Sequence, residues 1–442
     1  MTTSLVSFLK AGSMSSRPFS AFKFWWIFLF LLGSSGTIFF TACSSTESHS
    51  DTSAGPSSVS GTVFEVPLEY DAGENPIGLT LGDFNGDNKT DIIVTSPRKQ
   101  NGITTSEDGT LTLFQFNSSS TSRFPFSSST ITPTTAEWRQ DVISADFTGD
   151  NNTDLMVTHT DQDKIKLLRN DGSATFTDNG SVTVGDVPLN LVSGDWNSDN
   201  QTDLAVVNRD NSSVSILQNS NGVFAVTQTL PVSEKPIQLA DGDWDGDNDT
   251  DLAVLSRDST LVQIWLNNGS GTFSAQSTTY TVGSLPIDMI SGDWNCDSKL
   301  DLAVSNSGDN TISLIYGKGT GDFDSPIIIS SGKGPGTMAA ADFDNDSKMD
   351  FVVGHQFLVS TSGFSLLTGD FSLTLSDNTS STGYATPVSF AAGLAKNGAS
   401  PAELVIYDVD NDSKLDVLIA LPISKKLAVL SGKQYFGNLS CP

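Results

Sequence analysis

The stretch DWDGDNDTD, residues 243–251, decides the fold. It is a nine-residue loop with a carboxylate at every odd position. Six relatives of it occur along the chain: DFNGDNKTD (83–91), DFTGDNNTD (146–154), DWNSDNQTD (195–203), DWNCDSKLD (293–301), DFDNDSKMD (342–350) and DVDNDSKLD (408–416). Their first residues are 63, 49, 48, 50, 49 and 66 apart. A fixed period near 50 residues marks a repeat architecture in which each unit needs its neighbours to bury its core. The phrase also has the composition of a cation site, so one motif bears on fold and cofactor together.

Outward from each loop the same order of short β-type runs recurs. In the third unit, Pro188-Leu-Asn-Leu-Val-Ser-Gly leads in and Asp203-Leu-Ala-Val-Val-Asn leads out. Ser213-Val-Ser-Ile-Leu-Gln and Val223-Phe-Ala-Val-Thr-Gln-Thr-Leu follow. Asn, Asp, Gly and Ser turns separate them, and none is long enough for a helix. Four strands per unit of about 50 residues is the blade of a β-propeller. Seven loops predict an all-β, seven-bladed β-propeller of four-stranded blades. The last unit runs short after Lys425–Leu430, whereas Gly61-Thr-Val-Phe-Glu-Val-Pro-Leu-Glu-Tyr reads like the fourth strand at Gly271-Thr-Phe-Ser-Ala-Gln-Ser-Thr-Thr-Tyr. The N-terminal strand is therefore expected to complete the last blade and close the ring.

The acidic loops, the Asp-Leu-Ala-Val exits and the Asn-Gly-x-Gly-x-Phe segment at 268–273 resemble FG-GAP and VCBS-type repeats, related forms of which occur in integrin α-subunit propellers. The resemblance covers roughly residue 62 to the C-terminus. It implies that loops between second and third strands lie opposite the calcium loops, on the usual ligand-binding face.

Carboxylates at loop positions 1, 3, 5 and 9, with a backbone carbonyl at position 7, are hard oxygen ligands in a number that suits Ca²⁺. Up to seven structural Ca²⁺ ions are expected. The ligand sets are Asp83, Asn85, Asp87, Lys89 and Asp91; Asp146, Thr148, Asp150, Asn152 and Asp154; Asp195, Asn197, Asp199, Gln201 and Asp203; and Asp243, Asp245, Asp247, Asp249 and Asp251. The later units supply Asp293, Asn295, Asp297, Lys299 and Asp301; Asp342, Asp344, Asp346, Lys348 and Asp350; and Asp408, Asp410, Asp412, Lys414 and Asp416. Position 7 varies, as it would if only its backbone binds. Thr148 is a poorer ligand than its counterparts, which leaves the second loop open. With no Cys/His cluster, zinc is disfavoured. The loop ends in a strand at position 9, unlike an EF-hand. The second residue (Phe84, Phe147, Trp196, Trp244, Trp294, Phe343, Val409) reads as a wedge between blades, with sugar stacking as the alternative.

The N-terminus reads as an export signal over residues 1–42. Lys10, Arg17 and Lys23 precede 19 uncharged residues, and Phe40-Thr-Ala-Cys43 resembles a bacterial lipobox with Cys43 as the lipidation site. Phe40 departs from the usual Leu, and an uncleaved membrane anchor is the alternative. Residues 43–61, with eight Ser between 44 and 61, read as a flexible tether, and 62–442 as the propeller. The net charge of −28 disfavours nucleic acid and anionic lipid as partners. Of 51 acidic residues, 24 occupy loop positions 1, 3, 5 and 9, so much of the acidity is a cation requirement. Whether Cys296 and Cys441 pair stays open, two unpaired thiols being the plainer reading.

No catalytic constellation stands out. His49 falls in the tether, and His159 and His355 close equivalent strands. The expected function is a calcium-stabilised, lipid-anchored binding or adhesion module of the bacterial cell envelope, at the outer membrane or cell surface, for a protein or glycan ligand. An enzyme acting on extracellular polysaccharide and an envelope assembly scaffold are the alternatives. A pocket in the central channel with convergent acids and a bound sugar would favour the enzyme. Two departures from the period, 97–109 in the first unit and about 18 extra residues near 370–383 in the sixth, mark candidate working loops.

Overall fold

The computed structural model describes residues 68–96, 109–117, 123–131, 139–341, 349–355, 370–374, 388–391, 401–422 and 424–432. The export signal, Cys43, the tether, Arg98, Lys99 and Cys441 lie outside them.

The described residues form 28 strands, arranged in four-stranded antiparallel sheets. A short strand, β1 (Leu68–Asp71), comes first. One sheet is β2 (Gly78–Gly82), β3 (Asp91–Ser96), β4 (Thr110–Phe116) and β5 (Phe126–Ile131). The next is β6 (Arg139–Ala145), β7 (Asp154–His159), β8 (Lys164–Asn170) and β9 (Phe176–Thr183). Then follow β10 (Pro188–Gly194), β11 (Asp203–Asn208), β12 (Ser213–Ser220) and β13 (Val223–Pro231), and β14 (Pro236–Gly242), β15 (Asp251–Ser256), β16 (Leu261–Asn267) and β17 (Phe273–Thr281). Further on are β18 (Pro286–Gly292), β19 (Asp301–Asn306), β20 (Thr311–Ile315) and β21 (Ile327–Ser330), and β22 (Pro335–Ala341), β23 (Asp350–His355), β24 (Asp370–Thr374) and β25 (Val388–Ala391). The last strands are β26 (Glu403–Tyr407), β27 (Asp416–Leu421) and β28 (Lys426–Leu430).

The acidic motif occurs seven times, but only six units carry four consecutive strands. The last supplies three and takes its fourth from the other end of the fold, in the order β1-β28-β27-β26. Leu68 pairs with Val429 and Asp71 with Lys426. The innermost strands touch in chain order, β2 to β6, β10, β14, β18, β22 and β26, and β26 touches β2 again. The result is a β-propeller of four-stranded blades.

Burial follows position in the blade. The second strands, such as Asp203-Leu-Ala-Val-Val-Asn, are buried at every residue because a neighbouring blade covers each face. They therefore read as unbroken apolar runs rather than alternating ones. The outermost β13 is mostly exposed, with only Phe224 and Leu230 buried. The core is a set of inter-blade clusters. One joins Ile92, Phe114 and Phe124 of the first blade to Val405, Leu418 and Val429 of the last.

Two details correct the sequence reading. Residues 370–374, assigned to an insertion, form β24 and pair with β23. Their run of only two apolar residues in five hid the strand. Cys296 is disulfide-bonded rather than a free thiol; the other two cysteines lie outside the described residues.

Candidate functional site

Each described acidic loop is wound around its own first carboxylate. Asp83 Oδ1 accepts the N–H groups of Gly86 and Asp87 at 2.8 and 3.1 Å, and Oδ2 accepts that of Asn88 at 2.7 Å. Asp146 does the same, and Asp195, Asp293 and Asp408 bind the fifth and sixth N–H groups likewise. The third side chain caps the fifth N–H (Asn85, Asn197, Asp245, Asn295, Asp410). The fifth caps the seventh N–H (Asp87, Asp150, Asp199, Asp247, Asp297, Asp412). Such Asx turns use only part of each side chain's accepting capacity. The winding requires left-handed backbone at positions 4 and 6, as at Gly246 (φ 80°) and Asn248 (φ 70°). That requirement favours Gly and Asn there, although Ser198, Cys296, Ser298 and Ser413 adopt it too.

The ninth Asp has a different task. Asp91, Asp154, Asp203, Asp251, Asp301, Asp350 and Asp416 each open a second strand and are fully buried. Asp251 Oδ2 accepts the Trp244 N–H at 3.1 Å, and Oδ1 the Asn267 N–H at 2.8 Å. It thereby ties the loop to the end of the third strand. Burial, with the other loop charges adding, raises the carboxyls of Asp251, Asp301 and Asp416 to about 7 and those of Asp91 and Asp203 to about 6.

Whether these residues fit a cation can be judged from the oxygens. Asp243, Asp245 and Asp247 bring one oxygen each within 4.8 Å of one another, as do Asp408, Asp410 and Asp416. This is a hard-oxygen donor set of the kind Ca²⁺ takes. The loops are not equivalent. In the second, the Thr148 hydroxyl and N–H both donate to Asp154 Oδ2, at 3.0 and 3.1 Å, and Arg169 donates twice to Asp150 Oδ2, at 3.1 and 2.8 Å. In the seventh, Arg123 reaches across from the first blade to Asp410, at 2.9 Å, and to Asp412. Position-7 side chains turn to neighbouring carboxylates, Lys299 to Asp297 and Lys414 to Asp412, both at 3.2 Å. Asp342, Asp344, Asp346 and Lys348 of the sixth loop lie outside the described residues.

The second loop residues are structural wedges. Phe84, Phe147, Trp196 and Trp244 are at most 1% exposed. Each meets a Phe of the next blade at 5.7–6.0 Å between centroids: Phe176, Phe224, Phe273 and Phe323. Asn170, Asn219 and Asn267 add staples, donating to the carbonyls of Phe84, Phe147 and Trp196 in the preceding blade. Gly precedes the loop at 82, 194, 242 and 292, where the ring folds back on it: a Cβ at Gly292 would come 2.5 Å from the Trp294 ring, and one at Gly82 3.0 Å from that of Phe84.

A second constellation escaped the sequence reading. Five residues before each loop stand Gly78, Asp141, Asn190, Gln238, Asp288, Thr337 and Glu403. The innermost strands carry register bulges around this position in five blades, and a bulge re-aims a side chain and frees backbone donors. In three of them the freed donor is taken by the preceding blade, whereas the Val142 and Met289 N–H groups turn to the adjacent Asp141 and Asp288. Asp141 Oδ2 accepts the Leu191 N–H at 3.0 Å, Asn190 Oδ1 that of Leu239 at 2.9 Å, and Asp288 Oδ2 that of Met338 at 2.7 Å. Asn190 also donates to Asp141, and Gln238 to Asp288 at 2.8 Å. The ring lines a cavity of about 290 Å³ in the central channel, with Ile77, Leu189, Ile237 and Ile287 beside it. Burial raises Asp288 to about 6 and drives Glu403 well above the carboxylate range, with Asp141 and Asp288 adding to the latter. The signal was available: superposing the seven units on their loops aligns six polar residues in one column.

A propeller whose blades each present an acidic nine-residue loop defines the class of this protein. The FG-GAP-like repeat model matches five overlapping stretches, 83–157, 146–206, 195–254, 243–304 and 293–353. Together they span more than half the chain, and the chain belongs to the FG-GAP-like repeat family. A search of curated proteins returned no match. Among solved structures, BBS1N in complex with ARL6DN, soaked with lead and with mercury, gives TM-scores of 0.56 and 0.57 at 12% identity, covering 86% of this chain and 99% of that one. A protein from Lactobacillus plantarum gives 0.49 at 13% identity, covering 71% and 84%.

Proposed function

We propose that this chain is a calcium-stabilised binding module, a ring of seven blades held at the cell envelope through Cys43, which engages a protein or glycan ligand. The observation that carries the calcium reading is the gathering of carboxylate oxygens in loops four and seven. Unliganded carboxylates in one turn repel, and a divalent cation offsets that repulsion and couples its binding to folding. Loops one, three and five offer the same backbone winding with an Asn oxygen at position 3. Loop two, with Arg169 on Asp150, is the weakest candidate.

Binding is favoured over catalysis by what the channel acids already do. Asp141 and Asp288 accept hydrogen bonds from Leu191, Met338, Asn190 and Gln238 and hold blades together. Glycoside hydrolysis needs two carboxyl groups with separate proton-transfer roles, and among the described acids lining the cavity only Glu403 is left uncommitted. The BBS1N structures contain a protein partner, ARL6DN; that is a fold-level analogy in support of a protein ligand.

Residues 62–442 immobilised in Ca²⁺ and exposed to a glycan array and to purified envelope proteins should retain a ligand and release it in chelator. Depolymerisation of an extracellular polysaccharide by the same protein would replace this reading with the enzymatic one.

A further inference from the structure

We propose that the central channel is a receptor site for an alkylammonium group, with Glu403 as its charge partner, separate from the acidic loops and independent of their metal. The cavity of about 290 Å³ is near the lower size of small-ligand pockets. Three carboxylates line it, those of Asp141, Asp288 and Glu403, and none of the described residues lining it is basic. Buried carboxylates without a counter-charge are costly, and a cation is the group that relieves the cost.

Glu403 is the second, independent indication. Its side chain is part-buried and lines the cavity, yet it makes no hydrogen bond among the described residues. Asp141 and Asp288, by contrast, bind the N–H groups of the next blade. An inward-facing carboxylate with no acceptor role in the fold is available to a ligand.

The geometry selects the kind of cation. Asp141, Asp288 and Glu403 do not converge as Asp243, Asp245 and Asp247 do, whose ligand oxygens all lie within 4.8 Å of one another. A single dehydrated metal ion needs such convergence at about 2.3–2.6 Å per ligand. Acids spread around a larger void suit a cation with body. Ile77, Leu189, Ile237 and Ile287 stand one residue before the polar ring and form an aliphatic collar for an alkyl stem. An ammonium head against Glu403 with its stem in the collar satisfies both halves of the lining. Such a group comes either from a free amine or from a lysine side chain of a protein ligand.

The test is calorimetric titration of the Ca²⁺-saturated protein with n-butylammonium chloride, Nα-acetyl-lysine amide and the neutral n-butanol. Saturable one-to-one binding of either cation, with no heat from butanol, is the expected result. Tighter binding of butylammonium assigns the site to a free amine, and tighter binding of the lysine amide to a partner's side chain. Glu403→Gln keeps the cavity's shape and removes one charge, so it should weaken binding by about tenfold or more, the worth of one charge-assisted hydrogen bond. Asp288→Asn is the second variant should Glu403→Gln fold poorly, and should weaken binding in the same direction. Absence of binding by both cations, equal binding of butanol, affinity untouched by either substitution, or displacement of the amine by excess Mg²⁺ at the channel would overturn the proposal.

Discussion

At the scale of the residue, each loop separates two kinds of Asp. In the described loops the first and fifth positions, and the third at Asp245 and Asp410, are carboxylates outside the core that turn the backbone and present spare oxygens. The ninth is buried, and at Asp91, Asp251, Asp301 and Asp416 it holds two backbone donors. Replacing Asp251 by Ala would leave the N–H groups of Trp244 and Asn267 without their acceptor. Leaving buried donors unsatisfied should destabilise the domain by roughly 2–5 kcal/mol, even in chelator. Urea unfolding of Asp251→Ala and the parent protein, both in chelator, measures this. Matching midpoints would mean that Asp251 matters only through a metal. The aromatic wedges belong to the same scale. With Trp244 1% exposed and packed on Phe323, Trp244→Ala should cost about 3–5 kcal/mol as a core truncation. A variant that keeps its unfolding midpoint but loses glycan binding would restore the sugar-stacking alternative.

At the scale of the element, β1 is the joint. It is short and mostly exposed, but Tyr70 packs edge-on against Phe114 and Phe126, at 6.0 and 5.5 Å, and its hydroxyl donates to the Phe124 carbonyl. Ala72 adds a backbone bond to the Lys425 carbonyl at 3.0 Å, and Lys426 pairs with Asp71 at 2.6 Å. A chain starting at Asn75 loses all of these and leaves β28 as an open edge, which promotes association. It should aggregate or express poorly, whereas a chain starting at Gly61 should behave like the parent. Light scattering and thermal unfolding of both distinguish the outcomes, and equal behaviour would mean that β28 finds another cover. The bulges at the starts of the innermost strands act at this scale too. Those in β10, β14 and β22 exchange one ladder pairing for a donor aimed at the neighbouring blade, and a side chain turned into the channel.

At the scale of the whole molecule, the loops should make stability depend on calcium. Ligand binding to the folded state alone raises the melting temperature by mass action. Chelation should lower it clearly, and Ca²⁺ should restore it better than Mg²⁺, which demands a smaller octahedral shell. Calorimetry on metal-free protein tests this, and an unchanged curve after verified metal removal would sink the structural role. The anchor is tested in cells. Cys43→Ser should abolish lipid labelling and leave the precursor unprocessed, while cleavage upstream of Cys43 with release of soluble protein would point to an ordinary signal peptide.

What the sequence by itself determined is local and periodic. A loop's ligand positions span nine residues, and its strands follow within about 30, so a 50-residue repeat displays them in one line of text. Repeated Gly and Asn at positions 4 and 6, and apolar runs at Asp203-Leu-Ala-Val-Val and its kin, reflect backbone and burial demands met inside one unit and its neighbours. Even the composite last blade was legible, because Gly61–Tyr70 has the pattern of a fourth strand out of place. The tertiary structure decided what depends on wrapping the units into a ring. Arg123 meets Asp410 across 287 positions of chain, and no periodicity announces a contact made once, at the closure. Asp141, Asp288 and Glu403 are ordinary strand residues until the innermost strands face one axis. Only there do their charges share a cavity, and there Glu403, unlike Asp141 and Asp288, accepts no hydrogen bond among the described residues.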